Sequence, residues 1–206
     1  MVKYKMKPIF SGAALMRFQS IGGSDMVYVF LAEGFEEIEA LTPVDLLRRA
    51  QVETSLVSIY PDKKTVKGAR GITVECDMTI SEAKRDNADL LVLPGGMPGT
   101  VNLLECADLM SWVSEHNKKG GRIAAICAAP ARILGEGGYL KGKRATCYPG
   151  MESLMEGADA SSDSVVTDGN ITTSRGLGTA VDFACEMIKL ICGSDKAAEI
   201  RASVVA

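Results

Sequence analysis

Short apolar runs alternate along the chain with longer stretches of mixed polarity. VYVFLA (27–32) is continuously apolar, as in a strand covered on both faces. EGFEEIEALTPVDLLRRA (33–50) is helical in composition but interrupted by Pro43. Pro43 cannot donate to the carbonyl of residue 39, so the helix kinks or restarts there. A restart would use Thr42 as N-cap and Pro43 in the first helical position. TSLVSIY (54–60) predicts a second strand, and VKGARGITVEC (66–76) a small hairpin around Gly68 and Gly71. DLLVLP (89–94) reads as a third core strand, ending at Gly95-Gly96. Leu109, Trp112 and Val113 mark one face of a helix over 106–118, and RIAAI (122–126) is a fourth core strand. SVVTDGNITTS (164–174) predicts a hairpin around Asp168-Gly169. Ala180, Phe183, Ala184, Met187, Ile188 and Ile191 follow helical spacing, and a short helix closes the chain over 194–201.

Strands alternating with helices predict an α/β fold with a mostly parallel sheet between two helical layers. Ligands in such folds bind beyond the carboxyl ends of the strands. Three stretches lie at such ends: Glu33–Glu39, Gly95-Gly96 and Cys127. No linker divides 26–206, which reads as a single domain. The first 25 residues differ, with three lysines, a brief apolar patch broken by Gly12 and a Gly/Ser-rich exit. They read as a poorly ordered leader, with Met26 opening the domain.

Composition narrows the function classes. With 23 basic and 26 acidic residues the net charge is −3, which leaves no electrostatic footprint for nucleic acid. No apolar stretch is long enough to span a bilayer as a helix. Cys76, Cys106, Cys127, Cys147, Cys185 and Cys192 show neither a C-x-x-C pair nor metal-ligand spacing. They read as reduced thiols of a cytoplasmic protein without a metal.

Cys127 stands where the strand RIAAI meets the helix-like AAPARIL. This is the order of a nucleophile elbow, without its G-x-S-x-G letters. The N–H groups at a helix start favour thiolate over thiol. The competing reading is a buried core cysteine. LPGGMPG (93–99) offers backbone N–H groups for an oxyanion hole, or is merely a tight turn. Glu33, Glu36, Glu37 and Glu39 are candidates for an acid or base beside the thiol, or are solvated charges. Local sequence does not choose among them. Arg70 and Arg175 each adjoin glycine in loops and suggest an anion pocket or ordinary surface charges. His116, the single histidine, falls near a helix end, where a cation complements the dipole. A Cys–His hydrolase therefore lacks its imidazole.

Together these stretches resemble the DJ-one/ThiJ/PfpI superfamily, on its deglycase branch. EGFEEIEALTPVDLLRRA is similar to the family's E-E-x-E and P-x-D motif, VLPGG to its glycine pair, AAICAAP to its cysteine elbow, and TSRGLGTAVDFA to its C-terminal signature. The likeness runs from Met26 to about Val204. It implies a flavodoxin-like three-layer sandwich, a homodimer and no cofactor. It places the nucleophile on Cys127, the acid on Glu39, and the oxyanion-binding backbone on Gly95, Gly96 and Ala128. Arg70 and Arg175 match arginines near the pocket. The chain departs from the pattern at Tyr148, where many members carry histidine, so Tyr148 is a candidate hydrogen-bond donor. Ala128 stands where the peptidase branch has histidine, which argues against proteolysis. The resemblance implies an enzyme that converts methylglyoxal-like dicarbonyls, or their early glycation adducts, to hydroxy acids. Its alternatives are an oxidative-stress sensor or holdase chaperone, and a thiamine-pathway protein.

Overall fold

The computed structural model describes residues 26–206, so the expected leader lies outside the described residues. In chain order the strands are β1 (Met26–Leu31), β2 (Thr54–Ser58), β3 (Thr65–Lys67), β4 (Thr73–Glu75), β5 (Met78–Thr79), β6 (Ala88–Leu93), β7 (Arg122–Ile126), β8 (Arg144–Ala145), β9 (Asp159–Ala160), β10 (Val165–Asp168) and β11 (Ile171–Ser174). The helices are α1 (Glu37–Arg49), α2 (Gly99–Glu105), α3 (Ala107–Lys118), α4 (Ala180–Cys192) and α5 (Ser194–Ser203). Seven strands form one sheet in the order β10-β11-β7-β6-β1-β2-β5. Every neighbouring pair is parallel except the β10–β11 hairpin.

The continuous apolar strands are explained by cover on both faces. Val27, Val29 and Leu31 of β1 pack with Leu47, Phe183, Met187, Ile188 and Ile200, which come from α1, α4 and α5. Tyr28 and Phe30, the alternate residues, pack with Leu103, Leu109, Trp112 and Val113 from α2 and α3. Trp112 stands edge-on to both aromatic rings, with centroids 5.2 and 5.3 Å away. The sheet therefore lies between two helical layers, as the alternating pattern predicts.

α1 does not restart at Pro43. It begins at Glu37 and runs through the proline, with Glu36 rather than Thr42 as its N-cap. Ala40, Val44 and Leu47 are all buried, so the apolar stripe continues on both sides of Pro43 and packing outweighs the missing hydrogen bond. Acidic Glu37 and Glu39 open the helix and basic Arg48 and Arg49 close it, in keeping with its dipole. The stretch after Cys127 is also not the expected α-helix. Pro130–Gly135 is π-helical, with Glu136 N–H donating to the Ala131 carbonyl at 3.1 Å. α2 goes unpredicted because it is short and opens directly from LPGGMPG.

Candidate active site

β1, β6 and β7 are neighbours, and each carries one suspect stretch at its carboxyl end. β1 also marks the place where the winding reverses: β2 lies on one side of it and β6 on the other. The crevice beyond β1 and β6 is where doubly wound folds bind ligands. Glu39 enters it from the first turn of α1, Gly95 and Gly96 from the turn after β6, and Cys127 from the residue after β7.

Cys127 adopts φ +66°, a left-handed conformation that costs a non-glycine residue on the order of 1–3 kcal/mol. Its backbone is held on both sides. Cys127 N–H donates to the Ser174 carbonyl at 2.9 Å, and Tyr148 N–H donates to the Cys127 carbonyl at 2.8 Å. The turn lifts the thiol out of the strand, so Cys127 is half-buried rather than sealed in the core. Its side chain hydrogen-bonds with Glu39, while the N–H groups of Ala128 and Gly96 point at the sulfur.

Glu39 is 2% exposed. Its N–H donates to Glu36 Oε2 at 2.7 Å, which fixes the start of the helix. Its carboxyl accepts from Gly95 N–H at 3.1 Å and from the Leu177 N–H. Burial raises the Glu39 pKa to about 7, opposed by the Cys127 hydrogen bond and assisted by the neighbouring Glu36 charge. Burial, the charge of Glu39 and its hydrogen bond push the Cys127 thiol up to about 12, against the pull of the Ala128 and Gly96 N–H groups. The expected dominance of those N–H groups is thus reversed while Glu39 is charged. The two groups titrate as a pair. Thiolate beside carboxylic acid has the same net charge as thiol beside carboxylate; the Ala128 and Gly96 N–H groups favour the first arrangement, and the Gly95 and Leu177 N–H groups the second.

The glycine pair divides its work. Gly95 N–H belongs to Glu39, so it is not the free oxyanion donor expected from sequence. A Cβ at Gly95 would lie 2.4 Å from Glu39 Oε2 and 2.6 Å from Cys127 Cβ, so only glycine fits between acid and thiol. Gly96, at φ +94°, turns its N–H towards the sulfur.

The remaining candidates are scattered. Arg70 is exposed on the β3–β4 hairpin, and its backbone N–H donates to Glu37 Oε1 at 2.7 Å. Arg175 donates from its guanidinium to the Ser162 carbonyl at 2.9 Å. No hydrogen bond joins either guanidinium to Cys127 or Glu39 among the described residues. The Tyr148 ring flanks the site: a Cβ on Gly176 would lie 3.6 Å from the ring and 3.7 Å from Glu39 Oε1.

None of the four glutamates is a plain solvated charge. Glu33 pairs with Lys63, Glu36 caps α1, and Glu37 is 2% exposed against the hairpin. His116 is buried, with Nε2 3.1 Å from the Arg122 carbonyl at the opposite end of β7 from Cys127. Burial holds its pKa below the ordinary value, so it is not the helix-end cation the sequence suggested. Leu177, missed from sequence, contributes its N–H to Glu39. The only signal for it was its place between two glycines in SRGLG.

A doubly wound sheet with a cysteine on a left-handed turn beyond its strands defines a flavodoxin-like protein with a nucleophile elbow. The chain belongs to the DJ-1/PfpI family, whose sequence profile matches residues 25–190. Protein DJ-1 homolog B of Arabidopsis thaliana is 37% identical over 180 residues, covering 87% of this chain. The chain spans only 41% of that plant protein's length. The glutathione-independent glyoxalase DJR-1.2 of Caenorhabditis elegans is 33% identical over 168 residues, covering 80% of this chain and 87% of the worm protein. The solved structure of oxidized Toxoplasma gondii DJ-1 superposes with a TM-score of 0.84 at 34% identity, covering 87% of this chain and 97% of that one. Among the described residues no helix is long and apolar enough to cross a membrane.

Proposed function

We propose that the protein is a cofactor-independent glyoxalase, or deglycase, that converts methylglyoxal-like dicarbonyls or their early adducts to hydroxy acids. One observation carries the proposal: a buried carboxyl with a pKa of about 7 hydrogen-bonds to a thiol at which two backbone N–H groups point. The likeness to the worm glyoxalase supports it.

The chemistry follows from the pair. Glu39 takes the thiol proton, and the Cys127 sulfur bonds to the aldehyde carbon of methylglyoxal. The carbonyl oxygen, now an alkoxide, is stabilised by the Gly96 and Ala128 N–H groups and takes the thiol proton back from Glu39, giving a hemithioacetal and returning Glu39 to its carboxylate form. Glu39 then removes the hydrogen from that carbon as a proton, forming an enediol, and a proton is returned to the neighbouring carbon. The former aldehyde carbon is thereby oxidised to a thioester and the former ketone carbon reduced to an alcohol, with no outside oxidant. Water cleaves the thioester, releasing lactate and restoring the thiol. An acid with a pKa near the working pH suits both giving and taking protons. Tyr148 stands where many members carry histidine, and a phenol O–H can donate a hydrogen bond but does not replace an imidazole base, so turnover is slow. In the deglycase form the same steps free the bound amine. Peptidase activity is not part of the proposal, because Ala128 follows Cys127 and His116 lies at the other end of β7. The domain is taken as a single unit over 26–206, acting as a homodimer in the cytoplasm. Lactate formation from methylglyoxal without glutathione tests the proposal, and equal rates in wild type and Cys127→Ser would overturn it.

A second reading, redox sensing at Cys127, is supported by the oxidized state named for the Toxoplasma gondii relative. Oxygen added to the thiolate would be held by protonated Glu39. Intact-mass spectrometry after mild peroxide tests it: Cys127 must gain oxygen before the other cysteines.

A further inference from the structure

The stretch SRGLGT (174–179) meets both halves of the site with its backbone. The Ser174 carbonyl accepts from Cys127 N–H at 2.9 Å and so holds the left-handed elbow. Leu177 N–H turns to the Glu39 carboxyl, and a Cβ on Gly176 would lie 3.7 Å from Glu39 Oε1. What fixes this stretch is a pair of hydroxyls. Ser174 Oγ and Thr179 Oγ1 are 2.7 Å apart, and Ser174 is fully buried. Ser174 Oγ also lies 2.8 Å from the Ser164 carbonyl. Thr179 clasps Gly176 from both sides. Gly176 N–H donates to Thr179 Oγ1 at 3.2 Å. The Gly176 carbonyl accepts from Thr179 N–H at 2.8 Å, and Thr179 Oγ1 is also 2.8 Å from it.

Peptide planarity carries this clasp to the acid. The Gly176 carbonyl and the Leu177 N–H belong to one trans peptide and point in opposite directions. Turning the carbonyl to Thr179 therefore turns the N–H to Glu39. We propose that Ser174 and Thr179 are positioning residues for the Cys127–Glu39 pair: their hydroxyls clamp the 174–179 turn, which holds the elbow at one end and aims the Leu177 N–H at the acid. The proposal rests on the paired chemistry given above and adds the residues that set its geometry. Both side chains act through backbone groups, so neither is a catalytic residue. The aimed N–H favours the carboxylate of Glu39 over its acid. With the clamp released, Glu39 keeps its proton to higher pH, and more of the pair's single negative charge sits on sulfur.

The test is the rate at which iodoacetamide alkylates Cys127, read by peptide mass spectrometry between about pH 5 and 9, since alkylation reports the thiolate. Methylglyoxal turnover is measured alongside. Thr179→Val keeps the shape of the side chain and removes its hydroxyl. The first ionisation step of its alkylation profile should move up by about half a pH unit, and the rate above that step should rise about threefold. Lactate formation should fall about tenfold in kcat, because the acid is no longer held in place. Thr179→Ser should restore both. Ser174→Ala should shift the profile the same way, and adding it to Thr179→Val should bring little further change, since the two hydroxyls act as one unit. Cys127 and Glu36, the titratable groups facing Glu39, are intact in these variants, so the shift reports the N–H. Thr167→Val is the control: it breaks a matching hydroxyl contact in the β10–β11 hairpin, Thr167 to Thr172 at 3.0 Å, and should leave the profile unchanged. A Thr179→Val profile that overlays wild type, no rescue by serine, or an equal shift in Thr167→Val overturns the proposal. Lactate formation that ignores Thr179→Val, together with an unshifted profile, leaves the glyoxalase reading standing without the clamp. No lactate from folded wild type, with the profile shifting as predicted, leaves the clamp standing and overturns the dicarbonyl reading.

Discussion

Glu37 and Glu39 sit in the same first turn of α1, and each is 2% exposed, yet they face different parts of the molecule. Glu37 faces the β3–β4 hairpin. Its Oε1 accepts from Arg70 N–H at 2.7 Å, and Gly68 leaves it room. Glu39 faces the crevice, where its partners are Gly95 N–H, Leu177 N–H and a thiol that can exchange a proton with it. Burial alone therefore does not make a carboxylate reactive. What separates the two is a titratable partner. Backbone N–H groups give Glu37 a structural role, and Cys127 makes Glu39 one half of an acid–base pair.

Substitutions separate the two sides of that turn. The largest effect is expected from Cys127→Ala, which removes the atom that bonds to substrate and should lower lactate formation at least about a thousandfold. Glu39→Gln keeps the shape of the side chain but not its proton transfer, and kcat should fall about a hundredfold or more. Gly95→Ala places a methyl group between acid and thiol, and displacement of either should cost about a hundredfold in kcat/KM, with near-wild-type circular dichroism. Glu37→Ala should behave oppositely. Methylglyoxal turnover stays within a few-fold of wild type, while urea denaturation shows a loss of about 2 kcal/mol from N–H groups left without their acceptor.

The last effect, on stability alone, is its linkage to pH. The Glu39 pKa rises from 4.5 unfolded to about 7 folded, so the folded state binds this proton more tightly. The resulting stabilisation is fully present below pH 4.5 and is lost as pH rises to about 7. Wild type should lose on the order of 3 kcal/mol more than Glu39→Gln across that window, measured by denaturation at each pH. Equal slopes would contradict the raised pKa.

Much of this arrangement was legible in the sequence, because it depends on local patterns. Unbroken apolar strands announced a sheet covered on both faces. The order strand, cysteine, small residues announced the turn that places Cys127 at φ +66°. The failures arose where tertiary contacts outweighed local preference. Pro43 looks like a restart until the buried stripe on both sides of it is seen. Gly95 and Gly96 look equivalent until Glu39 takes one N–H and leaves the other for sulfur. Leu177 acts through its backbone, which its side-chain type does not reveal. The acid itself was singled out among the four glutamates by likeness to a family motif. In physical terms the choice depends on which glutamate meets the thiol, a long-range contact.

The central claim is that Cys127 and Glu39 perform dicarbonyl chemistry as a unit. It is tested most directly by lactate formation from methylglyoxal, without glutathione, in wild type, Cys127→Ala and Glu39→Gln side by side. The account predicts slow but measurable lactate from wild type and loss of it in both variants. Lactate at the wild-type rate from either variant, or none from folded wild type with a titratable Cys127 thiol, would contradict it.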